Sequence, residues 1–174
     1  MQWFVDETKA RGYVIAATLV DTAEVAAVRR VLKQTLPRGQ RRIHMVDESD
    51  PLRRKFLSAL SDAGVATRLY VASADHGTDV RRRRACLRRV VLEAAAEGCT
   101  RLVLESDPTQ DARDRQTLIE TTREIGRRGN FEYQHLRAYD EPLLWASDAV
   151  AWAFARGGVW REMTADVVSA VRHV

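Results

Sequence analysis

Cysteine is nearly absent from this chain. Cys86 and Cys99 have no CxxC spacing, and only four histidines accompany them, so neither a disulfide framework nor a structural zinc site is indicated and a reducing compartment is expected. Four prolines and nine glycines in 174 residues, with 45% apolar residues, exclude a fibrous or disordered chain and predict one packed domain spanning 1–174. No stretch approaches the roughly 18 uncharged apolar residues of a membrane span. The start, Met1-Gln2-Trp3-Phe4-Val5-Asp6-Glu7, has no basic, then apolar, export signal, so a cytoplasmic protein without membrane contact is expected. Gly-rich phosphate loops of the GxGxxG or GxxxxGK[ST] type are lacking, and Gly157-Gly158 reads as a helix stop. GxSxG and HExxH are missing too, which removes support for serine-hydrolase and zincin chemistry.

Lysine is also scarce. Lys9, Lys33 and Lys55 are the only three among 28 basic residues, so the net charge of +4 and pI of about 9.4 come from arginine, a side chain suited to phosphate. The densest run is Arg81-Arg82-Arg83-Arg84, followed by Arg88-Arg89. On one helix Val80, Leu87, Val91 and Ala94 form an apolar stripe, and Arg81, Arg82, Arg88 and Arg89 a basic face able to track a nucleic-acid backbone. The competing reading is a solvated face balanced by Glu93 and Glu97.

Apolar periodicity and punctuation predict alternating elements. Strands are expected at about 2–6 and 13–20, joined as a hairpin across Lys9–Gly12, then at 42–46, 67–73, 100–105 and 131–136. Helices are expected at about 22–36, 51–63, 108–126 and 142–156, with a last one over 160–172; Asp50-Pro51 and Asp107-Pro108 each supply an N-cap acid before a first-turn proline. Strand-strand-then-alternating order predicts an α/β domain, a mixed β-sheet flanked by helices on both faces.

Three acids stand where acids are costly. Asp6 follows Trp3-Phe4-Val5, Glu105 ends Leu102-Val103-Leu104, and Asp148 interrupts the apolar helix around Leu143–Ser147. Buried carboxylates persist when paired with a base or bound to a cation. Asp6 and Glu105 on neighbouring strands can face each other while Asp148 reaches in from a helix across the sheet, which makes a metal site the sharpest explanation. The alternatives are a turn residue for Asp6, a strand-end salt bridge for Glu105 and a buried ion pair for Asp148.

The segments Asp6-Glu7-Thr8 with Gly12-Tyr13-Val14-Ile15-Ala16, then Ile43-His44, Leu104-Glu105 and Leu144-Trp145-Ala146-Ser147-Asp148 resemble the bacterial domain of unknown function 3800 family. The likeness runs through nearly the whole chain. It departs at Thr8-Lys9, where the family commonly has Ser-Gly, at Arg42, where it often has glutamate, and at Trp145 and Ser147, where it usually has glutamine and alanine. The resemblance implies a ribonuclease-H-like fold with an acidic centre.

Such a centre implies phosphodiester hydrolysis assisted by Mg²⁺ or Mn²⁺, since hard cations take oxygen ligands. Asp6 is expected as the bridging ligand, with Glu105 and Asp148 flanking it. For a fourth acid, Asp114 is preferred because it shares an inward helix face with Leu118 and Ile125; Glu7 and Glu48 compete, and Asp107 and Asp111 read as helix-start caps. His44 is a candidate proton shuttle or phosphate contact, against the alternative of a packed strand residue. Trp145, Trp152 and Trp160 are read as packing residues rather than base-stacking ones. The expected function is a divalent-metal-dependent nuclease. The alternative is a non-catalytic module binding nucleic acid or a partner protein, and oligomeric state is open.

Overall fold

The computed structural model describes residues 1–126 and 132–174. β1 (Gln2–Thr8) and β2 (Val14–Val20) pair antiparallel, with Asp6 opposite Ala16. Gly12, at φ 105°, supplies the left-handed conformation that the intervening reversal needs. β3 (Ala66–Val71) continues antiparallel to β2, while β4 (Arg101–Glu105) adds parallel to β1 and β5 (Glu132–Leu136) parallel to β4. With β6 (Val168–His173) the sheet runs β5-β4-β1-β2-β3-β6. Phe131, where the last expected strand begins, lies outside the described residues.

Strand alternation gives the sheet two buried faces. Phe4, Val14, Ala16, Leu69 and Val103 pack under α1 (Val25–Thr35), α2 (Asp50–Asp62), α5 (Leu143–Arg156) and α6 (Val159–Glu162). Trp3, Val5, Ile15, Tyr70, Leu102 and Leu104 pack on the other side against α3 (Asp79–Ala96) and α4 (Asp111–Glu124). Helices therefore flank a mixed sheet on both faces. α5 is the central element of its layer: every residue from Leu143 to Ala153 except Asp148 is buried.

Two expected elements are different. Residues 42–46 do not form a strand. Ile43 and Met45 are buried as alternation suggested, but their backbone is satisfied elsewhere: His44 N–H donates to Glu48, Met45 N–H to Asp148, and Arg53 donates to the carbonyls of Met45 and Val46. The expected helix over 160–172 stops after α6 and becomes β6. Thr67 N–H donates to Val167 O, and Val168 stands opposite Thr67, so the open edge of β3 outcompetes helical propensity in a segment rich in valine. Val80 is exposed, outside the stripe assigned to it, and Cys86, Leu87, Val90, Val91 and Ala94 form the buried face of α3.

Candidate metal centre

Asp6 and Val5 are successive on β1, so Val5 points toward α3 and Asp6 toward α5. β4 repeats this. Val5 stands opposite Leu104 in the parallel ladder, which sets Glu105 beside Asp6 at the carboxyl ends of two adjacent strands. Asp148 descends from α5 to the same place. Together with His44, Ser106 and Trp152, the three acids line an open cleft of about 300 Å³.

α5 is pinned by a chain of hydroxyls. Ser147 Oγ donates to Phe4 O at 2.7 Å, so with one proton each Thr18 must donate to Ser147 at 2.9 Å and Thr67 to Thr18 at 3.1 Å. All three side chains are fully buried. The chain joins the helix residue before Asp148 to the strand residue two before Asp6. Met45 N–H then donates to Asp148 Oδ2 at 2.8 Å, and Glu7 N–H to Asp6 Oδ1 at 2.7 Å, so one oxygen of each carboxylate is fixed by a backbone donor.

The charge of Glu105 raises the proton affinity of both aspartates. Burial, followed by the charges of Glu105, Asp148 and Glu7, pushes Asp6 well above the ordinary carboxylate range. Burial is also the largest influence on Asp148 and takes it to about 6, although the Met45 N–H and the nearby His44 oppose the shift. Arg42 approaches Glu105 at 3.7 Å as the one basic side chain paired with these three acids among the described residues. The donor set is all oxygen and holds excess negative charge, so it fits a hard divalent cation. The three carboxylates are nevertheless spread more widely than Asp111, Asp114 and His135, whose ligand atoms lie within 4.8 Å of one another.

Asp114, the preferred fourth acid, is not in the cleft. It lies on the opposite face of the sheet, where Arg83 donates to both its oxygens at 2.8 and 2.7 Å and His135 Nε2 stands 3.3 Å away. Burial disfavours its ionised form, but Arg83 and then His135 more than offset this and hold it below its usual value. Glu7 also turns to that side and pairs with Arg83, itself 5% exposed and in contact with Tyr13. Asp111 accepts from Ser106 Oγ and Asp107 N–H. Every acid of this second group already has a partner, so it is a structural network despite its tight spacing. Helical spacing marks Asp114 as inward-facing, but α4 covers the side of the sheet opposite α5, and spacing carries no trace of that choice.

Glu48 is buried outside the cleft and accepts from Gln40 and His44 N–H. His44 is not a strand residue, yet it does line the cleft, with Nδ1 2.8 Å from Asp47. The basic face of α3 is largely engaged: Arg82 pairs with Asp79, Arg84 with Glu120, Arg88 with Glu124 and Arg89 with Glu93. Arg81 alone of that face has no ion pair among the described residues. Trp152 and Trp160 pack edge to face, Trp145 is buried, and Trp145 Nε1 donates to Ala138 O.

No family model and no curated protein matches this chain. A solved structure does: a chain of the PCNA–RNase HII complex from Archaeoglobus fulgidus, with a TM-score of 0.62 over 90% of this chain and 72% of that one, at 14% identity. The fold is ribonuclease-H-like. Within such a fold, the residues absent from the sequence-based site are Ser147, Met45 and Arg42. A serine beside the single acid of an apolar helix was the available signal for the first, because a buried hydroxyl must find a partner.

Proposed function

We propose that this chain is a divalent-metal-dependent nuclease that hydrolyses phosphodiester bonds, and that it is a member of the domain of unknown function 3800 family. One observation carries the activity. Asp6 and Glu105 stand side by side at the carboxyl ends of parallel strands, and Asp148 joins them from α5 in an open cleft. The ribonuclease-H-like fold supports the reading, as does the nucleic-acid enzyme named in the structural match.

Asp6, Glu105 and Asp148 would hold Mg²⁺ or Mn²⁺. When bound, such a cation supplies Lewis-acid stabilisation of charge on the phosphate. The protein's own part is positional: the Ser147 hydroxyl chain sets the helix on the strands, and Met45 N–H orients Asp148. Asp47 engages His44 Nδ1, so Nε2 is the ring nitrogen left to carry a proton at the cleft. Asp114 has no part in this chemistry; Arg83 holds it as a framework residue.

Incubation of labelled single-stranded and duplex DNA, RNA and hybrid with Mg²⁺, Mn²⁺ or EDTA tests the reading, with Asp148→Asn prepared identically. Metal-dependent cleavage absent from the variant is expected. No cleavage of any substrate together with no stabilisation by metal would overturn it and leave a non-catalytic binding module.

A further inference from the structure

Two loops meet at the rim of the carboxylate cleft. The loop between α1 and α2 presents Arg41 and Arg42, whose guanidinium carbons lie 5.0 and 5.1 Å from the ring centroid of Tyr139, on the turn that precedes α5. Tyr139 is nevertheless 47% exposed. Arg42 also reaches Glu105, so the aromatic ring, the two cations and the acidic centre are contiguous.

The cluster is not needed to hold its loops. Glu141, 2% exposed, anchors the Tyr139 turn by pairing with Arg29 and accepting the Leu143 N–H at 3.1 Å, while Trp145 Nε1 grips Ala138 O at 2.6 Å. Glu48 anchors the other loop through Gln40 and His44, and Met45 N–H ties it to Asp148. Both loops are therefore held by bonds that do not involve the Tyr139 side chain. What remains is a half-exposed ring with two guanidiniums lying over it. Only one of these, Arg42, has a carboxylate partner among the described residues. Two like charges gathered over one ring attract an anion, and the half of the ring they leave uncovered offers a base a surface to stack on.

We propose that Arg41, Tyr139 and Arg42 form the docking surface for a single nucleic-acid strand, with a base stacked on Tyr139 and neighbouring phosphates on the two guanidiniums. Paired bases within a duplex do not expose their faces, so a ring presented this way selects unpaired ones. What the bound strand is delivered to rests on the nuclease reading above; the binding itself does not.

Fluorescence anisotropy in EDTA separates the two, with short labelled single-stranded DNA, single-stranded RNA and duplex DNA as probes. Tyr139→Leu should weaken single-strand binding roughly 5- to 150-fold and Tyr139→Phe should retain it, as expected for loss or retention of one base–aromatic stack. The Arg41→Ala, Arg42→Ala double variant should flatten the plot of log affinity against log salt by about 1.4, two single-strand phosphate contacts. Arg84→Ala, on the ion-paired face of α3, is the control and should leave binding unchanged. The DNA and RNA probes identify which strand is preferred. Wild type that fails to bind single strands, Tyr139→Leu that binds as well as wild type, or duplex bound more tightly than single strands would each overturn the proposal. Tyr139-dependent binding without metal-dependent cleavage would sink the nuclease reading and leave this one standing; cleavage with binding indifferent to Tyr139 would do the reverse.

Discussion

Removing the charge of Asp148 should make the metal-free protein more stable. Its folded-state value of about 6, against 3.8 for the free side chain, corresponds to about 3 kcal/mol held against folding once both states are ionised. Asparagine keeps an acceptor for the Met45 N–H and removes the charge facing Asp6 and Glu105, but it buries an amide that must find a partner. Set against the roughly 1–3 kcal/mol that an unpartnered buried polar group costs, the net gain is about 0–2 kcal/mol at neutral pH, or up to roughly 8 °C in Tm for a chain of this size. The sign follows from the raised value. Below pH 3.8 both states are protonated and there is no penalty; between 3.8 and about 6 the unfolded chain releases its proton while the folded one retains it, so wild type loses stability as pH rises through that window. Urea unfolding of EDTA-treated Asp148→Asn and wild type between pH 4 and 7 should therefore give curves that diverge up to about pH 6 and then run parallel. Mn²⁺ at a hundred times its Kd should stabilise wild type by about 2.7 kcal/mol and leave the variant unmoved. A variant less stable than wild type at pH 7, or a difference that does not change with pH, would refute the picture of a repelling carboxylate cluster and favour a structural ion pair.

Asp114→Asn should behave in the opposite way. It should retain the Mn²⁺ stabilisation and metal-dependent cleavage, because Asp114 is held by Arg83; loss of the Mn²⁺ response in this variant would return Asp114 to the metal set. Its folded value is depressed, so the stability it contributes is present above about pH 4 and lost as pH falls through that folded value. A shallower acid limb in the unfolding profile of the variant is expected. Arg83→Leu leaves Glu7 and Asp114 without their buried partner and should cost about 3–5 kcal/mol in urea unfolding; a loss below about 1 kcal/mol would mean that the network is hydrated. Ser147→Ala breaks the hydroxyl chain at its helix end and should cost about 1–3 kcal/mol. The same variant should bind Mn²⁺ more weakly by calorimetry, since α5 loses its tie to Phe4; unchanged affinity would show that packing alone positions Asp148.

What could be read from the chain alone was whatever local pattern encodes. The hairpin, the crossover strands and most helices follow from apolar periodicity; the acid–proline starts marked the helices only roughly, since Ser49 rather than Asp50 caps α2, and α4 begins at Asp111 behind Gln110 rather than at Pro108. Asp6, Glu105 and Asp148 stood out because each interrupts an apolar run that the fold was bound to bury. The same local logic failed at residues 42–46 and at the end of the chain, where alternation and apolar spacing were read correctly as burial but wrongly as a strand and a helix. A backbone that bonds to side chains, as Met45 does to Asp148, leaves no periodic trace, and neither does an unpaired strand edge that recruits the segment after Val167. Tertiary structure alone decided on which face of the sheet each acid falls. Asp6 and Glu7 are neighbours in sequence, yet strand alternation directs one to a cleft of mutually repelling carboxylates and the other toward Arg83; Asp114 joins the second group because α4 covers the face opposite α5. Charge type was written in the sequence, but whether a charge meets its like or its opposite depends on which layers the folded sheet brings together.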